Sequence, residues 1–214
     1  MIQAITDVLH VVLKNLYQFS GNYGLAIILL TILIRLLTWP LISKQLASAK
    51  AMQDLQPELR KIQDKYKDNK EKLQQETMEL WKRNRVNPMA GCLPLIIQLP
   101  ILIAMFRVLE QPQRLHETIV GFSPYFLTMD MTKSDPFYIL PVLSAVTTYW
   151  QQKVMMTDKS QQALLIAMPV MILIFSVNFQ AGLVLYWVVG NILSIGHHYL
   201  LNRAPAKGAT GEKR

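Results

Sequence analysis

Several things that common soluble functions depend on are missing from this sequence. One cysteine, Cys92, leaves no partner for an internal disulfide and gives no sharp reading of redox compartment. There is no GxxxxGK(S/T) phosphate loop, no HExxH pair and no GxSxG elbow, so ATP hydrolysis and the familiar metalloprotease and serine-hydrolase sites lack support. No metal, cofactor or catalytic residue is expected. Acidic side chains are absent from the long apolar runs. Asp7, Asp130, Asp135 and Asp158 all fall outside them, which leaves no aspartate pair for an intramembrane protease. Neither a basic n-region nor a small-residue cleavage pattern marks the start, so no signal peptide is expected.

What is present is apolar. Of the 214 residues 51% are hydrophobic, the mean hydropathy is positive, and several runs are long enough to matter. These features predict an all-α integral membrane protein rather than a soluble globule. Lys and Arg outnumber Asp and Glu by 22 to 14. In a membrane protein that excess reads as cytoplasmic loops obeying the positive-inside bias, not as sequence-specific nucleic-acid binding.

Residues 1–20 carry Ile2, Ile5, Leu9, Val12, Leu13 and Leu16 at helical spacing, with Gln3, Asp7, His10 and Lys14 off that stripe. The segment is too polar to span and is expected to lie in the interface. Residues 21–42 read as the first span. Residues 43–87 are aqueous and predict a cytoplasmic antiparallel helical hairpin, with Pro57 in a first turn and a turn at 67–70. Spans are expected at 88–109, 136–153, 163–179 and 180–201. The second and third are separated by an extracytoplasmic loop at 110–135, the third and fourth by a cytoplasmic loop at 154–162. A basic cytoplasmic tail at 202–214 completes five spans. With the most basic loop inside, the N-terminus is outside, and every basic segment falls on the same face.

One charge interrupts the first span. Arg35 sits among nineteen otherwise uncharged residues at 24–42, and Thr31, Arg35 and Thr38 share a helical face at i, i+4 and i+7. A cation at that depth costs about 2.5–3.5 kcal/mol even on the lenient insertion scale, so it should face protein or water. No acidic residue lies within a span to neutralise it, which implies water, a carbonyl-lined cavity or a transient acidic visitor. Trp187, Asn191 and Ser194 share a face of the last span. Most other intramembrane hydroxyls read as helix–helix packing. His197 and His198 are adjacent, hence on different faces, and read as interfacial residues rather than ligands.

The runs Arg35-Leu-Leu-Thr-Trp39-Pro40, Leu55-Gln-Pro57 and Asn87-Pro88-Met-Ala-Gly91-Cys92-Leu-Pro94 occur in order, followed by Gln98-Leu-Pro100. Asp135-Pro136-Phe-Tyr138, Gln152-Lys153, Met168-Pro169 and Gly182-Leu-Val-Leu-Tyr186-Trp187 come after them. The series resembles the YidC-type membrane protein insertases from about Tyr23 to Leu201. That resemblance implies a bacterial plasma-membrane protein with five spans and a hydrophilic groove open to cytoplasm and lipid. Within the groove it implies Arg35, Thr31 one turn away, Gln98 and Gln152 on other helices, and the aromatic pair Tyr186 and Trp187, with tryptophan replacing a common tyrosine. Asn191, on the Trp187 face, joins this candidate set. Phe179-Gln180-Ala181-Gly182 stands where many members have Phe-Pro-Ser-Gly, and the basic tail is short.

The implied function is insertion of nascent membrane proteins into the lipid bilayer, alone or beside the Sec translocon, with the hairpin and tail as sites for a translating ribosome. Two rivals stay open on residues alone. One is a small-solute transporter or channel in which Arg35 binds an anion, though no internal repeat supports it. The other is a chaperone that holds subunits without inserting them.

Overall fold

The structure is a computed structural model that describes residues 2–84, 86, 93–155 and 162–203. The motif at 87–92 and most of the basic tail lie outside the described residues. Helix α1 (Ile2–Ser20) ends at Gly21, whose φ of +66° suits a glycine stop, and Gly21 N donates to Tyr17 O (2.8 Å). Asn22 Oδ1 then accepts from Leu25 N (3.0 Å) at the start of α2 (Tyr23–Asp54).

Composition places a boundary at residue 42, but α2 runs on through Pro40 to Asp54, 32 residues in all. Its apolar part is Tyr23–Ser43. In lipid a helix is the one way for a single segment to pair its remaining backbone groups, so one missing N–H at Pro40 does not end it. Residues 43–54 are therefore continuous with α2, and the two shorter charged helices follow them. These are α3 (Gln56–Lys65), with Pro57 in its first turn, and α4 (Lys70–Arg83), capped by Asn69 accepting from Lys72 N at 3.0 Å. They pack on each other, and of their side chains only Leu80 is buried among the described residues. Their charges are solvated.

Helix α5 (Leu93–Glu110) leads to a segment that composition alone reads as loop. It contains α6 (Gln113–Thr118) and a two-stranded ladder, β1 (Tyr125–Phe126) against β2 (Met129–Asp130). Two-residue strands carry no periodic signal, which is why the sequence reads as all-α there. Helices α7 (Ile139–Met155), α8 (Gln162–Asn178) and α9 (Ala181–Arg203) follow and complete the described residues. Among the described residues, Tyr23–Ser43 and Ala181–Leu200 are long and apolar enough to cross a membrane, and Leu165–Asn178 is a shorter apolar helix.

Helix α9 is central, packing on α7 and α2, with α8 on the far side of α7 and α1 bridging α2 and α5. The apolar core occupies one end of this bundle. Tyr23, Ala26, Ile27 and Leu30 of α2 meet Leu13 and Tyr17 of α1, Met105, Val108 and Leu109 of α5, and the first turns of α9. The rings of Tyr17, Tyr23 and Phe122 meet edge-to-face or tilted with centroids 4.9–6.5 Å apart, and Tyr17 Oη accepts from Ser123 N (2.7 Å). Gly24 is required here, because a Cβ on it would occupy the space of the Phe126 ring. The first amides of α9 are satisfied by loop carbonyls, Ala181 N by Lys133 O (2.7 Å) and Gly182 N by Met131 O (2.9 Å). Asp130 shapes that loop. Partial burial works against its charge, but hydrogen bonds from the side chain and backbone of Thr132 and the Lys133 ammonium outweigh burial and hold its carboxyl below the usual range.

Burial along α2 changes abruptly. Tyr23, Gly24, Ala26, Ile27, Leu30 and Thr31 are all buried, whereas none of residues 32–43 is. The bundle is shut at the end where α2, α7 and α9 begin and loosens past Thr31. Outward faces of α7 and α8, including Val142, Val146, Trp150, Ile166, Val170 and Ile174, are apolar and exposed. In water such a surface would aggregate, whereas in lipid it is the expected one.

Candidate functional site

Past Thr31, α2 presents Arg35, Trp39 and Ser43 at i, i+4 and i+8 to a stripe of α9 made by Gly190, Ser194 and His197. The Arg35 guanidinium lies over Gly190, so close that a Cβ there would be 2.9 Å from Nη2. One turn on, the Trp39 and His197 rings stack at 3.6 Å with planes 21° apart, and Ser43 Oγ lies 3.0 Å from His197 Nε2. Ile32, Arg35, Leu36, Trp39, Ser194 and His197 line a cleft of about 60 Å³ between the two helices. Leu36 and Leu37 beside it are 59% and 73% exposed, so the cleft borders the apolar outer surface.

Arg35 is half-buried, and no carboxylate forms an ion pair with it among the described residues. The Tyr186 phenol is within electrostatic reach. A guanidinium carries five N–H donors and no acceptor, so it can pair only with acceptors or anions. No cluster of three or more His, Cys, Asp or Glu that could hold a metal occurs among the described residues.

The other candidate residues are placed differently. Thr31 is fully buried in the closed end, with its hydroxyl donating to Ile27 O (2.7 Å). The Gln98 side chain lies outside the described residues. Trp187 and Asn191 turn away from α2 and face α7. Asn191 satisfies both ends of its amide with Nδ2 donating to Gln151 Oε1 (2.7 Å) and Oδ1 accepting from Thr148 Oγ1 (2.9 Å) and Trp187 Nε1 (3.2 Å). Ser194 does not follow them. It donates to Gly190 O (2.8 Å) and lines the Arg35 cleft. Gln152, beside this network, has a buried Oε1 with no hydrogen-bond partner. Thus α9 has one face welded to α7 by polar contacts and another forming the cleft with α2.

Sequence reasoning missed Gly190, Trp39, Ser43 and His197. Their spacing was available as a signal, Trp39 and Ser43 continuing the Arg35 stripe, but which helix that stripe meets was not.

The Asn191 network is worth about 1 kcal/mol, the usual scale for interhelical hydrogen bonds in membranes. Asn191→Leu is expected to lower the thermal unfolding temperature in detergent by a few degrees. An unchanged midpoint would show that the network contributes only packing.

Long apolar helices, an apolar outer surface and polar contacts gathered between helices define an α-helical membrane protein. Residues 15–208 match the family described as 60Kd inner membrane protein. The chain is 50% identical over 191 residues to membrane protein insertase MisCA of Bacillus subtilis (strain 168), covering 85% of this chain and 71% of that one. It is 46% identical over 200 residues to membrane protein insertase YidC 2 of Bacillus anthracis, covering 89% and 76%. Against membrane protein insertase YidC of Syntrophus aciditrophicus (strain SB) it is 44% identical over 194 residues, covering 89% of this chain but 35% of that one. A crystal structure of an active YidC insertase with its first transmembrane domain resolved superposes with a TM-score of 0.72 at 27% identity, over 92% of this chain and 46% of that one. The chain belongs to the 60Kd inner membrane protein family, that of the YidC-type insertases.

Proposed function

We propose that this protein inserts newly made membrane proteins into a bacterial inner membrane without covalent chemistry. Membership in a family of non-enzymes and relatives named as insertases support the reading. The observation that carries it is the burial asymmetry of α2: most of Tyr23–Thr31 is buried, none of residues 32–43 is, and Arg35, with no carboxylate partner among the described residues, lies in that second stretch.

In this reading α2, α5, α7, α8 and α9 are five spans, α1 lies in the outer interface, and residues 43–87, with α3 and α4, form a cytoplasmic hairpin. The N-terminus is outside and the C-terminus is cytoplasmic. A client's polar flank enters the cleft from the cytoplasm, keeps water and hydrogen-bond partners halfway across, and is not desolvated all at once. Arg35 attracts acidic residues in that flank where screening is weak. The remaining apolar distance is short, since 17-residue helices such as α7 and α8 rise only about 26 Å against a hydrocarbon core of about 30 Å. The client's apolar segment leaves past Leu36 and Leu37 into lipid. Thr31, Gln98, Gln152, Tyr186, Trp187 and Asn191 are the further groove residues, of which Gln152 brings an unpaired carbonyl oxygen. The Sec translocon and a ribosome docked on the hairpin are the proposed partners.

The test is insertion of a purified single-span client into liposomes containing only this protein. Protease protection of the client's flank is expected to rise well above that in empty liposomes, with no flux of small anions. Anion flux without client protection would instead make Arg35 part of a solute pathway.

A further inference from the structure

Gly190 lies in α9 directly against the Arg35 side chain. A Cβ there would be 2.9 Å from Nη2 and 3.7 Å from both Cζ and Nε. Real Cβ atoms do not come that close, so any side chain at 190 must displace something. What it displaces is the far end of a flexible side chain rather than backbone. Alanine also forms helix better than glycine. The fold should therefore tolerate Gly190→Ala, and the guanidinium should give way. The Ser194 hydroxyl donates to the Gly190 carbonyl (2.8 Å), and the missing Cβ leaves the guanidinium room beside it. Gly196, six residues along the same helix, is exposed and has nothing within 4 Å of its Cβ position. Only the first of these glycines has Arg35 against it.

We propose that Gly190 is a positioning residue. It seats the Arg35 guanidinium against α9, one turn from the Trp39–His197 stack, and so sets where the cleft presents its charge. The proposal rests on the reading of Arg35 as the group that attracts acidic client flanks. A displaced guanidinium would leave its seat against Gly190 and present its charge elsewhere along the cleft.

The experiment compares wild type, Gly190→Ala, Gly196→Ala, Arg35→Ala and Arg35→Lys in the full-length protein. Phenylglyoxal modification of Arg35, read by site-resolved mass spectrometry, is expected to run several-fold faster in Gly190→Ala and at the wild-type rate in Gly196→Ala. In liposomes, Gly190→Ala is expected to lower insertion of an acidic-flank client about tenfold relative to the same client with an amide flank, the scale of one lost charge-assisted contact. Added to Arg35→Lys it should leave that ratio unchanged, since a lysine ends near the Cζ position, 3.7 Å from the Cβ site, and is not crowded by it. An unchanged modification rate overturns the seat. A faster rate with an unchanged client ratio overturns its functional role, provided Arg35→Ala does lower the ratio. Equal loss for both clients marks a packing defect and overturns the role too. If Arg35→Ala keeps the wild-type ratio, the reading of Arg35 fails, and with it Gly190's role toward acidic flanks, while the modification rate still decides the seat.

Discussion

Arg35→Ala is expected to lower insertion of clients with acidic flanks by about tenfold or more while leaving amide-flank clients within about twofold of wild type. The size follows from Coulomb's law. Two unit charges about 4 Å apart attract by about 4 kcal/mol at an effective dielectric constant of 20, and part of that is spent desolvating the carboxylate. What remains is on the scale of a charged hydrogen bond, about 1.5–3 kcal/mol. Arg35→Lys keeps the charge but loses the planar fork, so it should retain much of the activity. Stability should move the other way. The guanidinium is half-buried with no carboxylate partner among the described residues, so its removal should hold or raise the unfolding midpoint in detergent. Equal insertion of both client types by wild type and Arg35→Ala would remove the electrostatic part of the mechanism.

Arg35 was legible in the sequence because a single cation in an apolar run is expensive, and expense marks use. The apolar faces of α2, α8 and α9 were legible for the same reason, since a bilayer imposes length and composition together. The partner of the Arg35 stripe was not legible. Periodicity assigns Arg35, Trp39 and Ser43 to one face of a helix, but a face is neutral about what it meets, and here it meets Gly190, Ser194 and His197. The same limit hid the partner of His197, which is buried and stacked on Trp39. Trp187 and Asn191 show the converse. Spacing puts them with Ser194 on one face of α9, yet their hydrogen bonds run to α7 while Ser194 lines the cleft, so closeness in sequence to Tyr186 does not bring them there. Thr31 was grouped with Arg35 by spacing, but one turn of helix separates the sealed half of α2 from the open half.

Asp135→Ala is expected to destabilise the protein by about 2–4 kcal/mol, a fall of roughly 5–10 °C in the unfolding midpoint. Asp135 is buried, and its carboxylate accepts from Phe137 N (2.9 Å) and Leu140 N (2.7 Å). The second of these is one of the amides in the first turn of α7 that no intrahelical carbonyl can reach. Between them Tyr138 is held at a φ of +57°, a conformation costing a non-glycine residue about 1–2 kcal/mol. Alanine at 135 would leave Leu140 N without its partner in a dry place and release the chain from the strained turn. Asp135→Asn keeps one acceptor oxygen and should recover about half of the loss. Client selectivity provides the contrast with Arg35. Asp135 lies at the closed end of the bundle, far along α7 from Thr147, Thr148 and Gln151, so its loss should lower the amount of folded protein and leave the ratio of acidic-flank to amide-flank insertion at the wild-type value. A changed ratio would mean that the closed end and the open cleft are coupled through α7, and that the two halves of α2 are not mechanically independent.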